Sequence, residues 1–285
     1  MRTLGQSPRL TRLHSALIGG AAVRLVLPAL LLAAWEAVSR LGMVKPNLLP
    51  PPSAVALTLR NLIASGELLG HVELTLLRVA LGFLFGTMAA TVLGALTGYS
   101  PTWRRLLDPT IQGLRNIPSI AWVPLFILWL GIFEASKVTL IAVGVFFPIY
   151  LNLMAGLQQV DRKLVEVARV HGYSGLALIR HVLLPATLPA YVTGLRGGLG
   201  LGWMFVVAAE VMGASEGLGF LMMDGQMTGR PAVIIASLLM FAVLGKASDL
   251  LLSLVGRRLT RWQDSHTAAQ EGESHAQDRA RLQAV

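Results

Sequence analysis

Cysteine is absent from this chain of 285 residues, so neither a disulfide framework nor a thiolate metal site is open to it. Charge is scarce as well. Asp, Glu, Lys and Arg make up 14% of the chain against 54% for hydrophobic residues, and the mean hydropathy is +0.63. Soluble domains carry roughly 25% charged residues; so thin a supply cannot cover a chain of this length in water. The composition therefore places it in a membrane. A phosphate-cradling G-x-x-x-x-G-K-[ST] loop is also missing. Gly245-Lys246 lacks both the glycine-rich lead and the following hydroxyl residue, so no nucleotide, Mg²⁺ or other cofactor site is expected in this chain.

What remains is apolar and periodic. About six spans approach the roughly 20 residues that a helix needs to cross the hydrocarbon core. They lie near 25–43, 74–98, 114–133, 138–157, 188–212 and 232–255, and the third is interrupted by Pro118 and Pro124. The chain is read as an all-α membrane protein: a cytoplasmic tail at 1–24, a transmembrane domain at 25–262, and a polar tail at 263–285 that is expected to be disordered. Arg2, Arg9 and Arg12 precede the first apolar run, but no small-residue cleavage site follows, so an uncleaved first helix is expected. Small residues recur at close-approach spacing, as Gly82/Gly86, Gly94/Gly98 and Gly194/Gly198/Gly202, which predicts tight helix packing.

Basic residues outnumber acidic ones by 24 to 15, and they cluster in alternate loops. Arg2, Arg9, Arg12 and Arg24 flank the first span. Arg104, Arg105 and Arg115 lie at 99–116, Arg162, Lys163, Arg169 and Arg180 at 158–187, and Arg257, Arg258 and Arg261 after the last span. The intervening loops hold only Lys45, Arg60, Lys137 and Arg230. Positive residues stay inside, so both termini and the 158–187 loop are expected in the cytoplasm of a multi-pass inner-membrane protein. The excess charge is thereby accounted for by topology; lipid is a partner, and no nucleic-acid partner is expected.

The most informative stretch is EVARVHGYSGLALIRHVLLP at 166–185, amphipathic and charged between two apolar spans. On a helix from about 162 to 172, Leu164, Val167, Ala168 and His171 share one stripe, with Arg162, Glu166 and Arg169 opposite. Gly172 permits a sharp turn. A second short helix at about 174–182 is expected to run into Leu184-Pro185, where proline stops it. Glu166 and Ala168 are followed by Gly172 and, nine residues later, by Val182-x-Leu184-Pro185. This spacing resembles the EAA loop of ABC importer permeases, with Val167 in place of the first Ala and Val182 in place of Ile. LLPPPSAVALTLRNLIASGELLGHVELTLLRVALGFLFG (48–86), LRNIPSIAWVPLFILWLGIFEASKVTLIAVGVFFPIYLN (114–152), DRKLVEVARVHGYSG and LGKASDLLL are similar to the nitrate/sulfonate/taurine group, nearest its aliphatic sulfonate permeases.

The resemblance implies a type I ABC importer permease fold whose 158–187 loop couples to an ATPase. Glu166, Ala168, Gly172, Val182, Leu184 and Pro185 map to the coupling motif. It also implies a second copy of the chain, two ATPase subunits that bind ATP and Mg²⁺, and a periplasmic solute-binding protein. The expected cargo is a small organic anion, foremost an aliphatic sulfonate, with taurine, nitrate or another small solute as alternatives.

Ionisable residues inside spans are costly and mark function by default. Glu36, Arg78, Arg196, Glu210, Lys246 and Asp249 qualify. Arg78, Arg196 and Glu210 are candidate pathway residues: an arginine can bind a sulfonate bidentately, or it can pair with a glutamate to hold helices together. Lys246 and Asp249 can pair at i, i+3. Gly172-Tyr173-Ser174-Gly175 also reads as the G-x-S-G of an intramembrane protease. That chemistry needs a histidine on a later span, and none occurs there, so no catalytic residue is assigned. A membrane scaffold is the other rival, and it would not need the coupling spacing.

Overall fold

The computed structural model describes residues 26–45 and 47–260. It is helical, with no strand among the described residues. Helix α1 covers 26–40, followed by α2 (Pro52–Ala64), α3 (Glu67–Tyr99) and α4 (Pro101–Arg115). A 3₁₀ turn (Ser119–Trp122) leads into α5 (Val123–Leu130), then α6 (Glu134–Gln158) and α7 (Arg162–Val170). Next come α8 (Gly175–Leu178), a π turn (Ile179–Leu183), α9 (Leu184–Gly213), α10 (Leu218–Met227) and α11 (Pro231–Leu259).

Among the described residues four stretches are long and apolar enough to cross a membrane: α3, α6, the π turn with α9, and α11. They extend past the apolar windows because charged and polar residues, such as Glu67 at the start of α3 and Arg257 at the end of α11, continue the same helices. An acidic first turn and a basic last turn both suit the helix dipole. The span expected at 114–133 is not continuous. Helix α4 ends at Arg115, and α5 begins only at Val123 with Pro124 in its first turn. The two helices are bent by more than 40° and count as a fifth span only if taken together. Pro118 cannot donate a backbone N–H, so it sits at the break rather than within a helix. The first expected span begins outside the described residues, as do the tails at 1–24 and 263–285; the described helix at 26–40 is shorter than a full crossing.

The chain divides into two compact units. The first holds residues up to Leu68 together with Leu221–Leu238. Here Glu36 finds its role: its carboxylate accepts the backbone N–H of Ser53 at 3.0 Å and the Ser53 hydroxyl at 2.8 Å, so it caps the N-terminus of α2, where an anion is favoured. Arg40, one turn away, donates to the same carboxylate.

The second unit holds Leu69–Phe220 and the chain from Leu239 onward. Its core is α6, flanked by α3 and α9. Ile141, Val145, Ile149, Tyr150 and Val206 are fully buried. Both neighbours present glycines to α6. A Cβ on Gly86 would lie 2.5 Å from the Ala142 carbonyl, and one on Gly98 would lie 2.7 Å from Leu157. On α9, a Cβ on Gly194 would come within 2.8 Å of Asn152 and one on Gly198 within 2.9 Å of Ile149. The glycine pattern therefore does what its spacing predicts. In lipid, where apolar burial between helices brings little, such backbone approach supplies the dispersion contact that holds a bundle together.

Candidate functional site

The 158–187 loop is built by local chemistry. The Asp161 carboxylate accepts the Lys163 backbone N–H at 2.9 Å and caps α7. At the other end Gly172 has φ +84°. Its N–H donates to the Arg169 carbonyl at 2.9 Å, and the Tyr173 N–H reaches back to Ala168 at 3.0 Å. These two bonds are the Schellman motif, which needs a left-handed residue at this position. His171 Nδ1 lies 2.8 Å from the Val167 carbonyl, and the Tyr173 and His181 rings meet at a tilt of 36° with centroids 5.4 Å apart.

Ala168, Leu178 and Leu183 are buried. The rest of the α7 stripe is bare. Leu164 and Val167 are exposed, and Val170 is 87% exposed. Glu166 is exposed beside them, as is Leu184 farther on, while Val182 and Pro185 are half-buried.

One expectation fails here. Pro185 does not stop the second helix: α8 widens into the π turn, and α9 starts at Leu184 without a change of course. Proline has no N–H for the His181 carbonyl, and its ring crowds that carbonyl. A wider turn relieves the clash without breaking the helix.

A second polar cluster lies on α3. Arg78 is 2% exposed. Its Nε and Nη2 donate to the two Glu134 oxygens at 2.6 and 2.7 Å, and its Nη1 donates to Glu210 at 2.8 Å and to the Glu216 carbonyl at 2.7 Å. The Thr75 hydroxyl and the Gly219 N–H also donate to Glu210, each at 2.8 Å. Lys137 adds a donor to Glu134 at 3.2 Å. Two carboxylates thus meet two cations, and the buried charge is balanced. The arrangement ties α3, α6, α9 and the turn into α10 together. It brings Arg78 and Glu210 into contact and leaves Arg196 elsewhere. Arg196 donates from Nε and Nη2 to both Asp249 oxygens at 2.9 and 3.1 Å, joining α9 to α11. Lys246 lies 3.8 Å from the same carboxylate.

Sequence reasoning placed Lys137 in a loop and passed over Glu134. Their i, i+3 spacing was available as a signal for a local pair, but nothing local points to a partner on α3.

Residues 82–261, more than half of the chain, match the family described as "Binding-protein-dependent transport system inner membrane component". The chain belongs to this family. It is the permease subunit of an ABC importer, a membrane-integral chain that works with an ATPase and a binding protein and is not itself an enzyme. The permease is 43% identical to the aliphatic sulfonates transport permease SsuC of Bacillus subtilis over 242 residues, which cover 85% of this chain and 88% of the relative. It is 34% identical to the taurine transport system permease TauC of Escherichia coli, over 82% of this chain and 87% of that one. Among solved structures it resembles the inward-facing MetNI methionine ABC transporter with a TM-score of 0.56 at 22% identity, covering 66% of this chain and 91% of that one. This last likeness concerns the fold, which is that of a type I importer permease.

Proposed function

We propose that two copies of this permease form the inner-membrane pathway of an importer for aliphatic sulfonates, with two ATPase subunits docked from the cytoplasm and a periplasmic binding protein delivering cargo. The observation that carries the coupling role is the bare apolar row Leu164, Val167 and Val170 on α7, held out by the Schellman turn at Gly172. A helix so exposed costs free energy until a partner covers it. Glu166, Ala168, Gly172, Val182, Leu184 and Pro185 are the coupling residues in this reading. Ala168 and Gly172 shape and fasten the loop, while Glu166 and Leu184 face outward to the partner. ATP and Mg²⁺ belong to that partner. Docking moves the permease because its two conformations differ in affinity for the closed ATPase pair.

The transmembrane domain is assigned to 25–262, with both termini cytoplasmic as the basic loops require. Similarity to the sulfonate permease supports the cargo; taurine is the nearest alternative, since the taurine permease is also a relative. Of the three candidate pathway residues, Arg78 and Glu210 are assigned to holding helices, because four of the five Arg78 N–H donors are already engaged. Growth of a deletion strain on alkanesulfonates, taurine, sulfate or nitrate as sole sulfur or nitrogen source tests the assignment. Selective loss on alkanesulfonates, restored by this gene, is expected. Unchanged growth on alkanesulfonates in a strain with no second importer refutes the cargo.

A further inference from the structure

Helix α11 is lined with exposed leucines, yet it carries a lysine in the open. Lys246 is 78% exposed and lies about 20 Å along the axis from the end of α11 at Leu259, at 1.5 Å per residue. A lysine facing lipid at such depth is costly, and its stem is too short to carry the ammonium to the interface. Asp249, Ser253 and Arg257 follow at steps of three, four and four residues, so all lie on one face of the helix. Opposite them on α9 stand Thr193 and Arg196. An open cleft of about 230 Å³ lies between the two helices over Thr193, Arg196, Ser253 and Arg257, where they cross closely, with a Cβ on Gly256 set to meet Val192 at 2.6 Å; Lys246 and Asp249 continue the same α11 face beyond its lining.

The donors of this cleft are only partly used. Arg196 gives Nε and Nη2 to Asp249 and keeps Nη1. Arg257 and Ser253 make no side-chain hydrogen bond to another described residue. The Thr193 and Thr260 hydroxyls instead donate to carbonyls of their own helices, each at 3.0 Å. Arg196 and Lys246 share the Asp249 carboxylate, and Arg257 lies about two turns further along α11. A seam with net positive charge, spare guanidinium donors, the Ser253 hydroxyl and one carboxylate among the described residues suits a monovalent oxyanion.

We propose that the α9–α11 seam is a water-filled wall of the solute passage, along which an organic sulfonate moves from Lys246 to Arg257 while displacing Asp249 from Arg196. This inference rests on the import reading above and places its passage. Because the chain lacks cysteine, Lys246→Cys gives the permease a single thiol. Leu251→Cys, on the opposite, lipid-ward face and also exposed, is the control. The full complex in proteoliposomes is treated with the charged reagent methanethiosulfonate ethylsulfonate, and the permease chain is weighed by mass spectrometry. Labelling at 246 and none at 251 is expected. No labelling at 246, with or without disulfide formation between two copies, overturns the passage, the disulfide marking the face as a subunit contact.

For the anion's role, the double variant Lys246→Glu/Arg257→Glu is expected to take up ethanesulfonate about tenfold more slowly, the loss of one charged hydrogen bond. Lys246→Arg/Arg257→Lys, which keeps both charges, should take up ethanesulfonate at close to the wild-type rate. Wild-type uptake by the glutamate double variant overturns the role of the charges. If the unaltered complex fails to carry ethanesulfonate, the cargo reading falls, and the labelling contrast still decides whether the seam is a passage.

Discussion

Replacing Gly172 isolates one physical effect in the 158–187 loop, the proposed coupling element. The residue has φ +84°, and a Cβ placed there meets nothing within 4 Å, so a substitution changes the backbone energy without a clash. A left-handed conformation costs an L-residue about 1–2 kcal/mol, less for Asn, whose short side chain bonds locally, and more for a β-branched residue. The two Schellman bonds from Gly172 and Tyr173 form only in that conformation. An α7 that no longer ends there swings Leu164, Val167 and Val170 away from the proposed ATPase contact. With about 1–2 kcal/mol against the ordered loop, the ratio of ordered to disordered loop falls roughly 5- to 30-fold, and affinity for the ATPase falls by up to that factor.

The expected order of coupled transport is therefore Gly172, then Gly172→Asn, Gly172→Ala and Gly172→Val, with membrane insertion equal in all four. Affinity of the isolated ATPase for the permease in nanodiscs and uptake by the reconstituted complex are the two readouts. If Asn proves as damaging as Val, the loop fails through side-chain contact with its partner and the backbone argument is refuted. Wild-type transport by Gly172→Val refutes the coupling role as well.

Three further outcomes follow from the bundle. Arg78→Leu leaves the buried Glu210 without its cation and should cost about 3–5 kcal/mol; Glu134, half-exposed, adds little. Thermal unfolding in nanodiscs should show the double variant Arg78→Leu/Glu210→Leu to be less damaged than Arg78→Leu alone; an additive loss argues against the pair. Gly86→Leu pushes a side chain against the Ala142 backbone and should cost about 1–3 kcal/mol, whereas Gly113→Leu, with nothing within 4 Å, should leave unfolding within about 0.5 kcal/mol; equal effects would remove the packing argument. Trp203→Phe removes the indole bond to Ser248 at 2.8 Å and should lower stability by about 0.5–1.5 kcal/mol, a loss that Ser248→Ala should share rather than add to.

What the sequence shows of this fold is what acts over a few residues. Gly172 as left-handed turn and the glycine stripes on α3 and α9 both follow from short-range geometry, and both are found in place. Proline marks the limit. Pro118 and Pro124 bracket a real break, yet Pro109, Pro148 and Pro189 lie within α4, α6 and α9 without ending them, because a packed bundle supplies partners for the carbonyls that proline leaves free. The same residue thus breaks or continues a helix according to neighbours that are distant in the chain, and Pro185 falls on the continuing side.

The charges obey a similar rule. Arg78 meets Glu134 and Glu210 across 56 and 132 residues, separations that carry no periodic signal. Arg78 and Lys246 both read as intramembrane cations from sequence, and only burial distinguishes them. The one with four bonds inside the protein can stay where it is in either conformation of a transporter. The one that faces outward needs water, an anion or another subunit beside it. In a chain with so few charges, the exposed one at depth is therefore the better guide to the path of the solute.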